Sequence, residues 1–223
     1  MNKIIMVGGG KGGVGKTTVA IGLVDSLLTN GKQVMVVETD ESNPDAHFAL
    51  ESIVQSEICN LEDIEGWVKL SEIVEQNKDK YIVINTAAGV VKHIKAHGKL
   101  LSDTAKELKR DLIMLWPINR QRDCLELLNK FADTDSAVDY KATYVVKNTY
   151  FGESKKFSRF DNSKVKARTT GTIDMPELYD MLTDKIVDNR WALSNTQGLS
   201  IAERSVLARY REAVDKALGV VYG

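Results

Sequence analysis

The sequence has little of several features that mark special classes of protein. Its 2 cysteines, Cys59 and Cys124, form no CxxC pair, so we expect neither a disulfide framework nor a thiolate metal site, and a reducing cytoplasm fits best. Only 3 prolines and 16 glycines occur in 223 residues, which argues against a fibrous or low-complexity chain. The 30 basic side chains nearly balance 31 acidic ones, so any surface that binds a polyanion has to be local.

Long apolar runs are also missing. The first run, Ile4-Ile5-Met6-Val7, is too short for the core of a signal peptide or for a membrane span. We therefore expect a soluble, cytoplasmic protein that does not bind membranes. With 43% hydrophobic and 27% charged residues, the length predicts one globular domain that covers residues 1–223.

What the chain does contain is an alternation of short apolar runs and helical periodicity. The apolar runs predict strands that are buried on both faces, at 4–7, 33–38, 81–84, 112–116 and 143–146. Helical spacing predicts helices from Thr17 to a stop at Asn30-Gly31, and over 64–77, 91–110, 119–132, 176–188 and 200–218. This alternation predicts an α/β fold, a doubly wound, mostly parallel sheet with helices on both faces.

A phosphate-binding loop stands between the first predicted strand and helix. The residues Gly10-Lys11-Gly12-Gly13-Val14-Gly15-Lys16-Thr17 match GxxxxGK[ST]. Glycines let successive backbone N–H groups point at phosphate oxygens, Lys16 adds a positive charge, and the Thr17 hydroxyl can ligate Mg²⁺. Thr18 is placed to donate to the α-phosphate. We therefore expect a bound nucleotide with Mg²⁺.

The loop carries a second lysine, Lys11, that the basic motif does not require. In this form, KGGVGKTT, it resembles the deviant Walker A loop of the ParA/MinD family of P-loop ATPases. The order of strands, a second acidic motif and the C-terminal helices extend the resemblance loosely over nearly the whole chain. The resemblance implies ATP with Mg²⁺, catalytic roles for Lys11 and Lys16, and a homodimer on ATP binding in which Lys11 reaches the partner's ATP. A plain solvent-exposed lysine is the alternative for Lys11.

The second motif is acidic and ends the second predicted strand, where an open parallel sheet binds its ligands. Asp40 matches the second Asp of the family's DxD pair, so the resemblance implies that Asp40 orients the attacking water and the magnesium shell. Glu38 replaces the first Asp, and we interpret Glu38 and Glu41 as members of a solvated loop. The family's proline after the second Asp is absent, so the geometry of this loop cannot be carried over.

A larger departure follows the run at 81–84. The family has an Asp there, whereas this chain has Asn85, in the segment Asn85-Thr86-Ala87-Ala88-Gly89. An amide oxygen accepts a hydrogen bond from a magnesium-bound water but brings no negative charge. We therefore expect a metal site of Thr17, Asp40 and Asn85 that binds nucleotide and hydrolyses it slowly. Gly89 is expected to offer its N–H to the γ-phosphate from a switch loop over 86–91.

Two further features concern the base and a basic stretch. Asn148 matches the family position whose amide reads adenine, and a loop around Pro176 is expected to close over the base.

Between Lys141 and Arg168, eight basic residues against two acidic ones give a local charge of +6, with aromatic residues interleaved. This pattern is typical of non-specific DNA binding. A solvated loop is the alternative.

Together these features favour an ATP-binding, slowly hydrolysing dimerisation switch that positions or segregates plasmid or chromosomal DNA. Its partners would be non-specific DNA and an adaptor or centromere-binding-type protein. Two alternatives stay open, a nucleotide-gated protein-interaction module with negligible hydrolysis and a membrane-directed positioning ATPase of the MinD type. The second needs an amphipathic anchor, whereas the apolar stripe of the last predicted helix is typical of a core helix.

Overall fold

The computed structural model describes residues 2–133 and 138–223. Its centre is a seven-stranded sheet in the order β3-β2-β4-β1-β5-β6-β7, in which every pair of neighbouring strands runs parallel. The strands are β1 Ile4–Val7, β2 Val34–Glu38, β3 Gln55–Ile58, β4 Tyr81–Asn85, β5 Leu112–Ile118, β6 Ala142–Asn148 and β7 Gly171–Met175. The predicted doubly wound α/β fold is confirmed.

The edge strands β3 and β7 are the strands that the sequence pattern missed. The central strands β1, β2, β4 and β5 are buried at every residue, and their sequences are apolar runs except for Glu38 at the end of β2 and Asn85 at the end of β4. In contrast, β3 has the sequence QSEI and no fully buried residue, and β7, GTIDM, buries only Ile173 and Met175. An edge strand with one solvated face carries too few apolar residues to be found by a search for buried runs.

Helices cover both faces of the sheet. They are α1 Lys16–Thr29, α2 Asp45–Leu50, α3 Ile64–Gln76, α4 Val91–His97, α5 Lys99–Glu107, α6 Arg122–Ala132, α7 Ser158–Asp161, α8 Asp180–Asp188 and α9 Ile201–Tyr222. One core cluster packs α1, α2, α8 and α9 against the sheet, and the other packs α3 to α7. As predicted, the apolar stripe of α9 belongs to the core, because Leu207, Tyr210, Val214 and Leu218 are all buried.

Several predicted helices differ from the structure in their bounds, among them the helix predicted over 119–132, which begins at Arg122, and the helix predicted over 200–218, which ends at Tyr222. The predicted helix over 91–110 is divided into α4 and α5 at Gly98, where a Cβ would lie 2.5 Å from the Ile94 carbonyl oxygen and 2.6 Å from Val138 Cγ2. The helix predicted from 176 begins at Asp180, which leaves 176–179 as a loop beside the main cavity. Within the described residues, the helices lack the combination of length and apolarity that crossing a membrane requires.

Candidate nucleotide-binding site

The phosphate loop, residues 8–15, connects β1 to α1 and contains two left-handed residues. Gly13 has φ +73° and Gly15 has φ +94°, a region that residues with a Cβ rarely adopt. A Cβ at Gly15 would also lie 2.2 Å from Asn148 Nδ2, so this position requires glycine for space as well. The α1 N-terminus that follows has no side-chain cap and no acidic residue in its first turn. Its free N–H groups are therefore available to an anion.

A cavity of about 490 Å³ opens beside this loop, at the carboxyl ends of the strands. Ten of the predicted binding residues line it: Gly12, Gly13, Gly15, Lys16, Thr17, Thr18, Asp40, Asn85, Asn148 and Pro176. Four others do not. Gly10 packs against Leu127, and Val14 is buried in the core. Each residue therefore helps to shape the backbone of the phosphate loop but does not line the cavity. Lys11 and Gly89 also lie outside the lining, and Ala88 lines the cavity beside Gly89.

The two lysines of the loop have different surroundings. Lys16 Nζ donates to the Lys11 carbonyl at 3.2 Å, and burial lowers the pKa of Lys16 while Asp40 and Glu38 oppose that shift. Lys11 Nζ instead donates to Gln121 and Asp123 at the start of α6, and this hydrogen bond lowers the pKa of Asp123. The Lys16 side chain therefore lines the cavity of its own chain. The Lys11 side chain is held outside the lining of that cavity by Gln121 and Asp123.

The interpretation of Glu38 as part of a solvated loop is wrong. Its side chain is fully buried at the end of β2, directly beside Asn85 in the β2–β4 register. Glu38 Oε2 accepts from Asn85 Nδ2 at 2.8 Å, and Oε1 accepts from the Asp40 N–H at 3.0 Å. Burial raises the pKa of the Glu38 carboxyl, and these hydrogen bonds counteract the rise. The site therefore does have a carboxylate next to Asn85, on the neighbouring strand.

Asp40 is held in place by residues to which the sequence assigned no role. Its Oδ1 accepts from the Ser42 hydroxyl at 2.6 Å and from the Asn43 N–H at 3.1 Å. This short loop orients the Asp40 carboxylate without the family's proline. Asp40 also lines an adjoining cleft of about 340 Å³, together with Glu41, Ala87 and Ala88.

Asn148 lines the cavity beside Val14 and Gly15 of the phosphate loop and is 7% exposed. Its Nδ2 donates to the Val14 carbonyl and its Oδ1 accepts from the Tyr150 N–H, both at 3.1 Å. Around it, the cavity is lined by Tyr150, Phe151, Pro176, Leu178 and Val187. This end can sandwich a planar base between aromatic and aliphatic surfaces, and base reading by Asn148 stays a prediction.

Comparison with known proteins decides the family. The model of the CobQ/CobB/MinD/ParA nucleotide binding domain matches residues 5–150, from β1 to the turn after β6. The chain belongs to this family. Protein MobD from Acidithiobacillus ferrooxidans is 39% identical over 225 residues, which cover 98% of each chain.

Solved structures of the same fold include two with nucleotide or plasmid connections. A plasmid partition protein from Borrelia burgdorferi has a TM-score of 0.54 and 21% identity, covering 85% of this chain and 96% of that one. A nucleotide-binding protein from Archaeoglobus fulgidus in complex with ADP has a TM-score of 0.55 and 16% identity, covering 91% and 93%. At these identities the likeness shows the fold alone.

The residues around Thr17 fit the Mg²⁺ that accompanies nucleotides in P-loop proteins. Asn85 Oδ1 is buried without a hydrogen-bond partner, and Asn85 Nδ2 lies 3.4 Å from the Thr17 hydroxyl. Across 2–133 and 138–223, no three His, Cys, Asp or Glu side chains form a metal cluster. A magnesium ion here would depend on Thr17, on the Asn85 amide and Asp40 through water, and on the phosphates, whose negative charge it would neutralise. Glu38 places a carboxyl group 2.8 Å from the Asn85 amide nitrogen, on the neighbouring strand.

The basic stretch from Lys141 to Arg168 is not one displayed face. Lys147 is buried and pairs with Asp161 at 2.9 Å, and Phe157 and Phe160 are buried in the core. Interpreting these three residues as parts of an exposed surface is therefore wrong. Further cations of the stretch have acidic partners: Lys155 with Glu153, Lys166 with Asp161, and Arg168 with Asp133.

Proposed function

We propose that this chain is an ATP-binding and slowly ATP-hydrolysing dimerisation switch that positions or segregates plasmid DNA. The observation that carries the proposal is the phosphate loop with its two lysines: Lys16 lines the cavity of its own chain and Lys11 is held at the rim. The connection with plasmids rests on the resemblance of this loop to the deviant Walker A loop of the ParA/MinD family, to which the chain belongs.

The proposed nucleotide is ATP, because Asn148 matches the family position whose amide reads adenine. Its phosphates would lie against the free N-terminus of α1 and Lys16, and its base between Phe151 and the loop that contains Pro176. Slow hydrolysis follows from Asn85, because an amide in place of a carboxylate weakens the charge balance around the metal. The buried Glu38 carboxylate at 2.8 Å offsets part of that loss, so turnover would be low but measurable.

Dimerisation would complete the site. Lys11 Nζ is held by Asp123 and Gln121, both exposed at the start of α6, and not by a group inside its own cavity. A second copy that presents a triphosphate to this face would compete with Asp123 for the ammonium group. The ATP-bound dimer would then present two copies of any DNA-binding surface, which raises the affinity for DNA by avidity.

The experiment compares Lys16→Ala and Lys11→Ala with Lys32→Ala, an exposed lysine outside the site. Binding of a fluorescent ATP analogue should be lost in Lys16→Ala and kept in the other two variants. Sedimentation with a non-hydrolysable ATP analogue should show dimers for wild type and Lys32→Ala, and monomers for Lys11→Ala. Undiminished nucleotide affinity of Lys16→Ala would refute the site, and normal dimerisation of Lys11→Ala would refute the role of Lys11.

A second candidate is a nucleotide-gated module that binds a partner protein with negligible hydrolysis. It is favoured by the Asn85 amide, and its partner would be an adaptor or centromere-binding-type protein. The two candidates differ in steady-state turnover. Phosphate release that Asp40→Ala abolishes supports the switch, whereas release no faster than that of Lys16→Ala supports the module.

A further inference from the structure

A second polar cleft, of about 470 Å³, lies between the loop after β5 and the segment after β6. Three cations line it, Arg120 from the first loop and Lys156 and Arg159 from the second segment. No carboxylate is among the lining residues. We call these residues the Arg120 cleft.

The cations of this cleft differ from their neighbours because they lack acidic partners. Nearby basic side chains are paired: Lys11 with Asp123, Arg122 with Glu126, Lys147 with Asp161, and Lys155 with Glu153. In the described part of the chain, Arg120, Lys156 and Arg159 form no such ion pair. Like charges that share a cleft repel each other, and an anion bound between them would relieve that repulsion.

Local backbone geometry brings two of the cations together. Gly152 has φ 125° and ψ 162°, a conformation that is essentially restricted to glycine. A Cβ there would lie 3.2 Å from Lys156 Cδ and 3.6 Å from Arg120 Nε, so both side chains pass over the space that glycine leaves free. Phe157 and Phe160, both buried, anchor the segment that carries Lys156 and Arg159.

The Arg120 cleft adjoins the nucleotide cavity. Phe151 lines both spaces, and Gln121, on the wall of the cleft, accepts a hydrogen bond from Lys11. The turn that carries Phe151 begins at Asn148, whose side chain caps it. A movement of the Lys11 side chain would therefore act on Gln121, and a movement of Asn148 would act on Phe151, and both Gln121 and Phe151 line the cleft.

We propose that Arg120, Lys156 and Arg159 form a binding site for the phosphodiester backbone of nucleic acid. Guanidinium groups bind phosphate through paired hydrogen bonds, and the cleft supplies two of them beside one ammonium group. An acidic protein segment is less suited, because Tyr150, 57% exposed and 5.3 Å from Phe151 between ring centroids, offers a face on which a base can stack. The inference rests on the proposed function, since it locates the DNA contact of that switch.

The test measures fluorescence anisotropy of labelled mixed-sequence oligonucleotides, single-stranded and duplex, at several salt concentrations with the ATP analogue and Mg²⁺. The variant Arg120→Ala/Lys156→Ala/Arg159→Ala should flatten the slope of log affinity against log salt by about 2.7 for duplex or about 2.1 for a single strand, if each cation binds one phosphate. The matched control, Lys141→Ala/Lys155→Ala/Lys164→Ala, removes the same charge from the same stretch outside the cleft. This control should flatten the slope by less than the value of one phosphate contact, which is about 0.9 for duplex.

The outcomes separate the cleft from its alternatives. An equal loss in both triple variants would mean that bulk charge binds the strand, and an unchanged slope in the cleft variant would mean that the cleft binds no phosphate; either result overturns the proposal. Binding of polyglutamate at the cleft without binding of either oligonucleotide would also overturn it, in favour of an acidic protein.

Failure of the proposed function would look different. Binding of the fluorescent ATP analogue and sedimentation are measured on the same wild-type and variant proteins. A wild type that neither binds ATP nor dimerises refutes the switch, yet the nucleotide-free chain can still be titrated with oligonucleotide to test the cleft. A cleft variant that binds ATP and dimerises normally but loses oligonucleotide supports both proposals.

Discussion

Replacing Asn85 with Asp should destabilise the nucleotide-free protein, because it places a second carboxylate against Glu38. The two side chains are in contact, with Asn85 Nδ2 at 2.8 Å from Glu38 Oε2, and both are buried. Two negative charges at this separation repel by about 6 kcal/mol at an effective dielectric constant of about 20. The protein can avoid most of this repulsion by keeping one carboxyl protonated.

Protonation sets the size of the effect. Holding a carboxyl with an ordinary pKa of about 4.3 in its protonated form at pH 7 costs about 3.7 kcal/mol. We therefore expect Asn85→Asp to lower the free energy of unfolding by about 2 to 4 kcal/mol at pH 7 without metal. The shared proton has a pKa that is raised in the folded state, so the folded state binds more protons than the unfolded one. The loss should accordingly shrink as the pH falls towards 4.

The assay is urea unfolding in EDTA at pH 7 and pH 5, repeated with Mg²⁺ and ATP, together with steady-state turnover. Metal should reduce the loss because it supplies the missing positive charge, and turnover of Asn85→Asp should rise above wild type. The matched variant Glu38→Gln/Asn85→Asp exchanges the carboxylate and the amide between the strands. It should recover most of the lost stability in EDTA.

Two results would refute this reasoning. If Asn85→Asp is as stable as wild type in EDTA at pH 7, Glu38 is not an ionised neighbour of residue 85. If the exchanged double variant is no more stable than Asn85→Asp, the loss does not come from repulsion between the two carboxylates.

Three further predictions concern other parts of the site and fold. Asp40→Ala should lower turnover at least tenfold with little change in ATP affinity, because the Asp40 carboxylate is held by Ser42 and Asn43 and not by hydrogen bonds from the phosphate loop; a titration with the ATP analogue separates the two effects. Gly15→Ala should abolish nucleotide binding, since its Cβ would lie 2.2 Å from Asn148 Nδ2 at a left-handed φ, and Gly219→Ala, in α9 outside the site, is the control because its Cβ would meet no atom within 4 Å. Asp215→Asn should flatten the acid side of the stability profile: hydrogen bonds from Ser26 and Tyr222 lower the pKa of Asp215, so its contribution is present above about pH 4 and is lost as the pH falls through its folded pKa. Urea midpoints between pH 7 and pH 3 would contradict this if the two proteins lost stability in parallel.

The parts of the fold that can be predicted from the sequence are those that are specified by residues close together in the chain. Central strands such as Ile4–Val7 are apolar throughout because both faces are covered, and the phosphate loop is a contiguous motif whose glycines are demanded by its backbone. Glu38 was missed because a carboxylate at a strand end usually faces solvent. In the fold, the β2–β4 register pairs Glu38 with Asn85, and the Glu38 side chain is fully buried there.

The basic stretch shows why a charge count along the sequence does not describe a surface. The stretch does carry a charge of +6, yet the fold buries Lys147 and pairs Lys166 with Asp161 and Arg168 with Asp133, which lies outside the stretch. The unpaired cations Lys156 and Arg159 instead meet Arg120, which lies outside the stretch and after another strand. Because parallel strands bring their carboxyl ends to one edge, residues distant in sequence converge there, and the phosphate contacts that we propose for this edge would follow from topology rather than from local composition.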